Sequence, residues 1–102
     1  MKTNDVITYL TSSECTDMFN SYWINKVYLF GSYSRWEQNK KSDIDLLIDT
    51  NRWIHKLTLF DLIEIEDFLK NKLWVPSVDI WTRKSLNKHI LSYVEKDLIK
   101  IK

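Results

Sequence analysis

Three aspartates and one glycine are the residues of this chain best suited to chemistry. Asp43 and Asp45 lie two apart in "SDIDLLID" (42–49), and Asp79 lies in "SVDIW" (77–81). Residues i and i+2 of a strand share a face, which would put the first two carboxylates about 7 Å apart along the backbone. Carboxylates so placed repel each other unless they are solvated or hold a cation. Their hard oxygens suit Mg²⁺, which binds through few carboxylates and takes substrate phosphates as further ligands. Two such ions, about 3.5–4 Å apart, could clamp the attacking and leaving oxygens of an in-line displacement. A third carboxylate, Asp79, joins the cluster if its strand neighbours the first. Otherwise the same acids only coat a solvent-facing sheet.

Gly31 is the sole glycine of the chain and is followed by Ser32. It comes directly after the apolar run "KVYLF" (26–30), where a Gly-Ser pair is ordinarily just a turn. Retaining one glycine in so glycine-poor a chain points to a position that does not tolerate a Cβ. Exposed N–H groups after a strand, ahead of a possible short helix at Ser34–Gln38, could cradle a phosphate. Ser32 would add a hydroxyl donor and Arg35 a cation, with Lys40 and Lys41 adding positive potential or simply lining a solvated loop.

The elements that must position these residues are legible from their spacing. A short helix is expected at about residues 4–11, and a second, capped by Ser12 or Ser13, to about Trp23. "KVYLF" and "SDIDLLID" read as strands, the latter with Ile44, Leu46 and Ile48 on one face and Asp43, Asp45, Leu47 and Asp49 on the other. Thr58 and Asp61 form a capping box opening a helix to about Leu73, with Leu62, Ile65, Leu69 and Leu73 along its core stripe. Asp61, Glu64, Glu66 and Asp67 are expected on its solvated side. After Pro76, "SVDIW" is a third strand. A last helix capped by Ser85 is expected to carry Leu86, Ile90, Val94 and Leu98 on one stripe. This order implies a small α/β or α+β fold, a mixed sheet flanked by helices, in one domain spanning residues 1–102.

Composition narrows the functional classes. The 102 residues are 44% hydrophobic and 28% charged, which excludes a disordered chain. The net charge of +1 provides no global field for nucleic acid or an anionic membrane. From Arg83 onward the chain is modestly basic, more in keeping with a solvated helix face than with a nucleic-acid reader. No run reaches the length of a membrane span, and no signal peptide is evident. The single Cys15 fits a reducing, cytoplasmic setting and reads as a small buried hydrophobe. His55 and His89 have no neighbours resembling a metal-ligand set. Alanine is absent and tryptophan occurs five times. Trp36, Trp53 and Trp74 fall in or near loops, where aromatics either fill the core or anchor a partner.

Gly31-Ser32, ten residues, then Asp43-Ile44-Asp45, with Asp79 in "VDIW", resembles the pattern of nucleotidyltransferases similar to DNA polymerase β. The chain looks most like the minimal nucleotidyltransferase (MNT) domains that act as antitoxins, over about Val27 to Leu98. Trp36 departs from the glycine many relatives carry there, and "NKLWVPSVD" is slightly longer than the common turn. The resemblance implies transfer of a nucleoside monophosphate from a triphosphate to a hydroxyl. Asp43, Asp45 and Asp79 would be the catalytic and metal-binding acids for two Mg²⁺, and Gly31, Ser32 and Arg35 would contact ATP. It further implies a HEPN-family RNase toxin as partner, forming a hetero-oligomer and adenylylated on tyrosine. Two alternatives stand beside this one: a small-molecule nucleotidyltransferase, and an antitoxin that acts by binding alone.

Overall fold

The computed structural model describes residues 2–34, 43–50, 57–82 and 88–102. The expectations for Arg35, Trp36, Lys40, Lys41, Trp53, His55 and Ser85, and most of the short helix expected to Gln38, lie outside these residues. The elements follow the order α1 (Thr3–Leu10), α2 (Ser13–Ser21), β1 (Ile24–Phe30), β2 (Ile44–Thr50), α3 (Leu59–Leu73), β3 (Val78–Thr82), α4 (Lys88–Lys96) and β4 (Ile99–Lys100). The sheet order is β3-β2-β1-β4. β1 is antiparallel to β2 and to β4, and β2 is parallel to β3, so the sheet is mixed. A parallel neighbour requires a crossover, which α3 supplies.

Local signals account for most boundaries. The Ser12 hydroxyl accepts the Cys15 N–H and starts α2. That helix stops at Ser21, short of the expected Trp23, because Trp23 turns left-handed (φ 61°) and β1 begins at the next residue. The Thr58–Asp61 capping box is reciprocal: the Asp61 N–H donates to Thr58 Oγ1 at 3.2 Å, and the Thr58 N–H donates to Asp61 Oδ2 at 2.9 Å. Trp74 caps the other end of α3 in the left-handed region (φ 54°), with its N–H donating to the Lys70 carbonyl at 3.0 Å. Its side chain is 90% exposed.

The core lies on one face of the sheet. Val27, Leu29, Ile44, Leu46, Ile48, Val78 and Ile80 meet Val6 and Leu10 of α1, Cys15 and Phe19 of α2, and Ile65, Leu69 and Leu73 of α3. Strand alternation therefore assigns the opposite face to Asp45 and Asp79. Burial pushes the Cys15 thiol up, as suits a packed hydrophobe. Among the described residues, no helix is long and apolar enough to cross a membrane.

The chain end corrects one expectation. Leu98 is not on the stripe of the last helix. The Asp97 N–H turns back to the Val94 carbonyl at 3.0 Å, α4 ends at Lys96, and Ile99–Lys100 pair with the free edge of β1. Edge pairing outweighs the continued helical periodicity there, since an open strand edge leaves backbone groups unpaired.

Trp74→Gly is expected to raise the unfolding free energy by about 0.5 kcal/mol, because it relieves a left-handed residue while removing almost no buried surface. Thr58→Ala should lower it by about 1 kcal/mol. Urea unfolding of both variants beside the parent checks the two opposite signs.

Candidate active site

Three chain segments converge at one end of the sheet. Because β1 and β2 are antiparallel while β2 and β3 are parallel, the end of β1 lies beside the starts of β2 and β3. The Ile44 N–H donates to the Ser77 carbonyl at 3.1 Å and ties the two starts together. The registers are Phe30 with Asp45 and Asp45 with Asp79. Asp45 and Asp79 thus stand side by side on adjacent strands, both half-buried, on the face away from the core. Asp43 is exposed, one residue before β2.

The glycine is explained by Asp45. Gly31 adopts φ +78°, a region L side chains rarely visit, and a Cβ built there would lie 2.5 Å from Asp45 Oδ2. The carboxylate rests directly against the glycine backbone. From there the chain closes a tight turn. The Ser34 N–H and Oγ both donate to the Gly31 carbonyl, at 3.1 and 2.9 Å. Tyr33 is buried, and its carbonyl accepts from Thr3 Oγ1 at 2.7 Å. Burial, and secondarily the charge of Asp43, push the Tyr33 hydroxyl up. Ser32 is half-buried within the turn, and Arg35 lies outside the described residues.

Glu66 was expected on the solvated side of α3 and instead faces the site. It is half-buried, and burial, followed by the charge of Asp79, raises its pKa while the Ile80 N–H donates to it and opposes the rise. The signal was available: Glu66 shares the row of Leu62, Leu69 and Leu73, four, three and seven positions away. β3 is the edge strand, so Glu66 also occupies a backbone donor that the sheet leaves open.

Among the described residues, no three His, Cys, Asp or Glu side chains are gathered closely enough to enclose a metal by themselves. The donor set nevertheless fits Mg²⁺, which needs only one or two carboxylates when substrate phosphates complete its shell. Asp45 and Asp79 in register, with the exposed Asp43 one residue before β2, offer hard oxygen ligands.

Residues 12–101 match the family model for the nucleotidyltransferase domain. A Methanocaldococcus jannaschii chain assigned as a protein adenylyltransferase is 35% identical over 99% of this chain and 100% of its own length. A solved minimal nucleotidyltransferase superposes with a TM-score of 0.78 at 24% identity, over 97% of this chain and 95% of that one. A complex of tri-AMPylated Shewanella oneidensis HEPN toxin with MNT antitoxin matches with a TM-score of 0.64 at 20% identity, over 92% of this chain and 71% of that one. The small mixed sheet flanked by helices is therefore the expected fold.

Gly31→Ala is expected to destabilise the protein by about 2–3 kcal/mol in the parent but by only about 1 kcal/mol in an Asp45→Ala background, where backbone strain alone remains. A double-mutant cycle by urea unfolding reads that coupling. Glu66 has a second consequence. Its folded pKa is raised, so its contribution to stability is lost as pH climbs from the ordinary glutamate range through the raised value. Relative to the parent, Glu66→Gln should therefore gain stability over that interval in metal-free buffer, as followed by thermal unfolding between pH 4 and pH 8.

Proposed function

Since the chain belongs to the nucleotidyltransferase domain family, and so is a nucleotidyltransferase, we propose that it moves AMP from ATP to a tyrosine hydroxyl of a HEPN-family RNase toxin, thereby silencing it. The observation that carries this reading is the register of Asp45 against Asp79 beside a turn whose Gly31, at φ +78°, would bring a Cβ to 2.5 Å from Asp45 Oδ2. Support for the transferred group comes from the adenylyltransferase relative, which matches over its entire length. Support for the acceptor comes from the shared fold of the MNT antitoxin bound to an AMPylated HEPN toxin.

In the proposed reaction the acceptor oxygen forms a bond to the α-phosphorus, the bridging α–β oxygen bond breaks, and pyrophosphate leaves. Asp79 takes up the acceptor proton as that bond forms. Asp43, Asp45 and Asp79 would hold two Mg²⁺, which would supply charge neutralisation on the triphosphate and a lowered pKa of the attacking hydroxyl. The Gly31–Ser34 turn seats the β- and γ-phosphates through its backbone and the Ser32 hydroxyl, with Arg35 as a further triphosphate contact. Orientation of the two reactants then provides much of the acceleration.

The acceptor must approach the same end of the sheet. The connection from α3 to β3 enters there, and it carries the exposed Trp74 beside Lys70, Val75 and Pro76. These residues make a candidate contact for the toxin, with which the chain would form a hetero-oligomer. RNA contact would then belong to the toxin.

The test is label transfer from α-phosphate-labelled ATP with Mg²⁺, using the purified chain with a HEPN toxin. Label is expected on a toxin tyrosine, and Asp43→Asn/Asp45→Asn should reduce it at least about a hundredfold, given the several kcal/mol such acids and their ions contribute. Tight complex formation with neutralisation but no label would sink the enzymatic reading and leave a binding antitoxin.

A further inference from the structure

We infer that Thr3, at the start of α1, is a positioning residue that holds the Gly31–Ser34 turn in its nucleotide-binding form. This rests on the nucleotidyltransferase reading above. The family-model match begins at residue 12, so α1 lies outside the stretch that the model matches.

Thr3 is fully buried, and among the described residues it is the only buried polar or charged one. A buried hydroxyl is tolerated where it has a partner. That partner is the Tyr33 carbonyl, thirty residues away, reached by Thr3 Oγ1 at 2.7 Å. α1 is a firm base for this contact. Val6 and Leu10 bury its apolar face in the core, and the Lys2 N–H donates to the Asp5 carboxylate at 3.2 Å across its first turn.

Thr3 thereby ties down Tyr33, the residue after Ser32. Gly31 lies against the Asp45 carboxylate on one side, where an added Cβ would come within 2.5 Å of Oδ2. Tyr33 is held twice, by its buried ring and by the Thr3 hydroxyl on its carbonyl. Ser34 folds back on the Gly31 carbonyl and closes the turn. Removing the Thr3 hydroxyl leaves the Tyr33 carbonyl buried without that donor, and the least costly response is rotation of its peptide toward another partner. Such a rotation re-aims the backbone groups next to Ser32. The effect should fall on nucleotide seating rather than on the acids.

Three variants of the full chain separate this role from plain stability. Thr3→Val keeps the shape and removes the donor, whereas Thr3→Ser keeps the donor. Thr11→Val removes a hydroxyl at the exposed far end of α1, which donates to the Ile7 and Thr8 carbonyls of that helix. Amide hydrogen exchange at Ser34 is read first, without nucleotide or metal. Steady-state label transfer from ATP with Mg²⁺ is read second. Thr3→Val is expected to speed Ser34 exchange about tenfold and to raise the KM for ATP about five- to tenfold, the scale of one buried hydrogen bond, with kcat little changed. Thr3→Ser should restore both, and Thr11→Val should move neither. Unchanged exchange at Ser34, an equal rise in exchange across the whole core, or a KM shift shared by Thr11→Val would overturn the inference. A parent protein that transfers no label would instead overturn the nucleotidyltransferase reading, while the exchange result still decides whether Thr3 holds the turn.

Discussion

The site depends on one close approach, that of the Asp45 carboxylate to the α-carbon of Gly31. The carboxylate occupies the space a side chain would need, so any residue but glycine there would have to displace it. The same glycine, at φ +78°, can turn the chain sharply at the end of β1. One contact therefore sets both where the acid stands and where the turn begins. Had the acid lain one position earlier or later on β2, it would have pointed to the core face, among Leu46 and Ile48.

Register extends this constraint across the sheet. The antiparallel pairing of β1 with β2 brings Phe30 opposite Asp45, and the parallel pairing of β2 with β3 brings Asp79 alongside. Both pairings are held by the apolar residues of the other face, whose burial against α1, α2 and α3 is lost if any strand slips by one residue. The hydrophobic core thus fixes the placement of charges it does not touch. α3 serves twice: Ile65, Leu69 and Leu73 close the core, while Glu66, one residue beyond Ile65, reaches the outer edge of β3 near Asp79.

What the sequence made legible was periodicity and capping. The alternation of β2, the reciprocal Thr58–Asp61 box and the stripe of α3 are local patterns, and the corresponding elements form almost where those patterns place them. That Gly31 excludes a Cβ was readable from its rarity, but the excluding group was not, because Asp45 comes from another strand. The adjacency of β2 and β3 was open for the same reason. β4 was missed because two residues carry no strand signal of their own, and they pair only because β1 offers an edge. By its charge Glu66 reads as solvent-facing, although its position lies in an apolar row. Its surroundings are settled by β3, which no helical pattern reveals.

Distance along the chain misleads most for α1. Nothing in "TNDVITYL" suggests a role beyond covering the core, and its first residue would pass for a helix-start threonine. Yet Thr3 spends its buried hydroxyl on the turn after β1 rather than on its own helix. A turn of four residues cannot be made rigid from within, since its internal bonds fix its shape but not its orientation. Orientation needs an anchor outside it, and here the core-side helix layer supplies one, the Thr3 hydroxyl on the Tyr33 carbonyl. The functional unit is therefore wider than the acid motif. It includes a helix joined to that turn by one buried hydrogen bond, from Thr3 Oγ1 to the Tyr33 carbonyl.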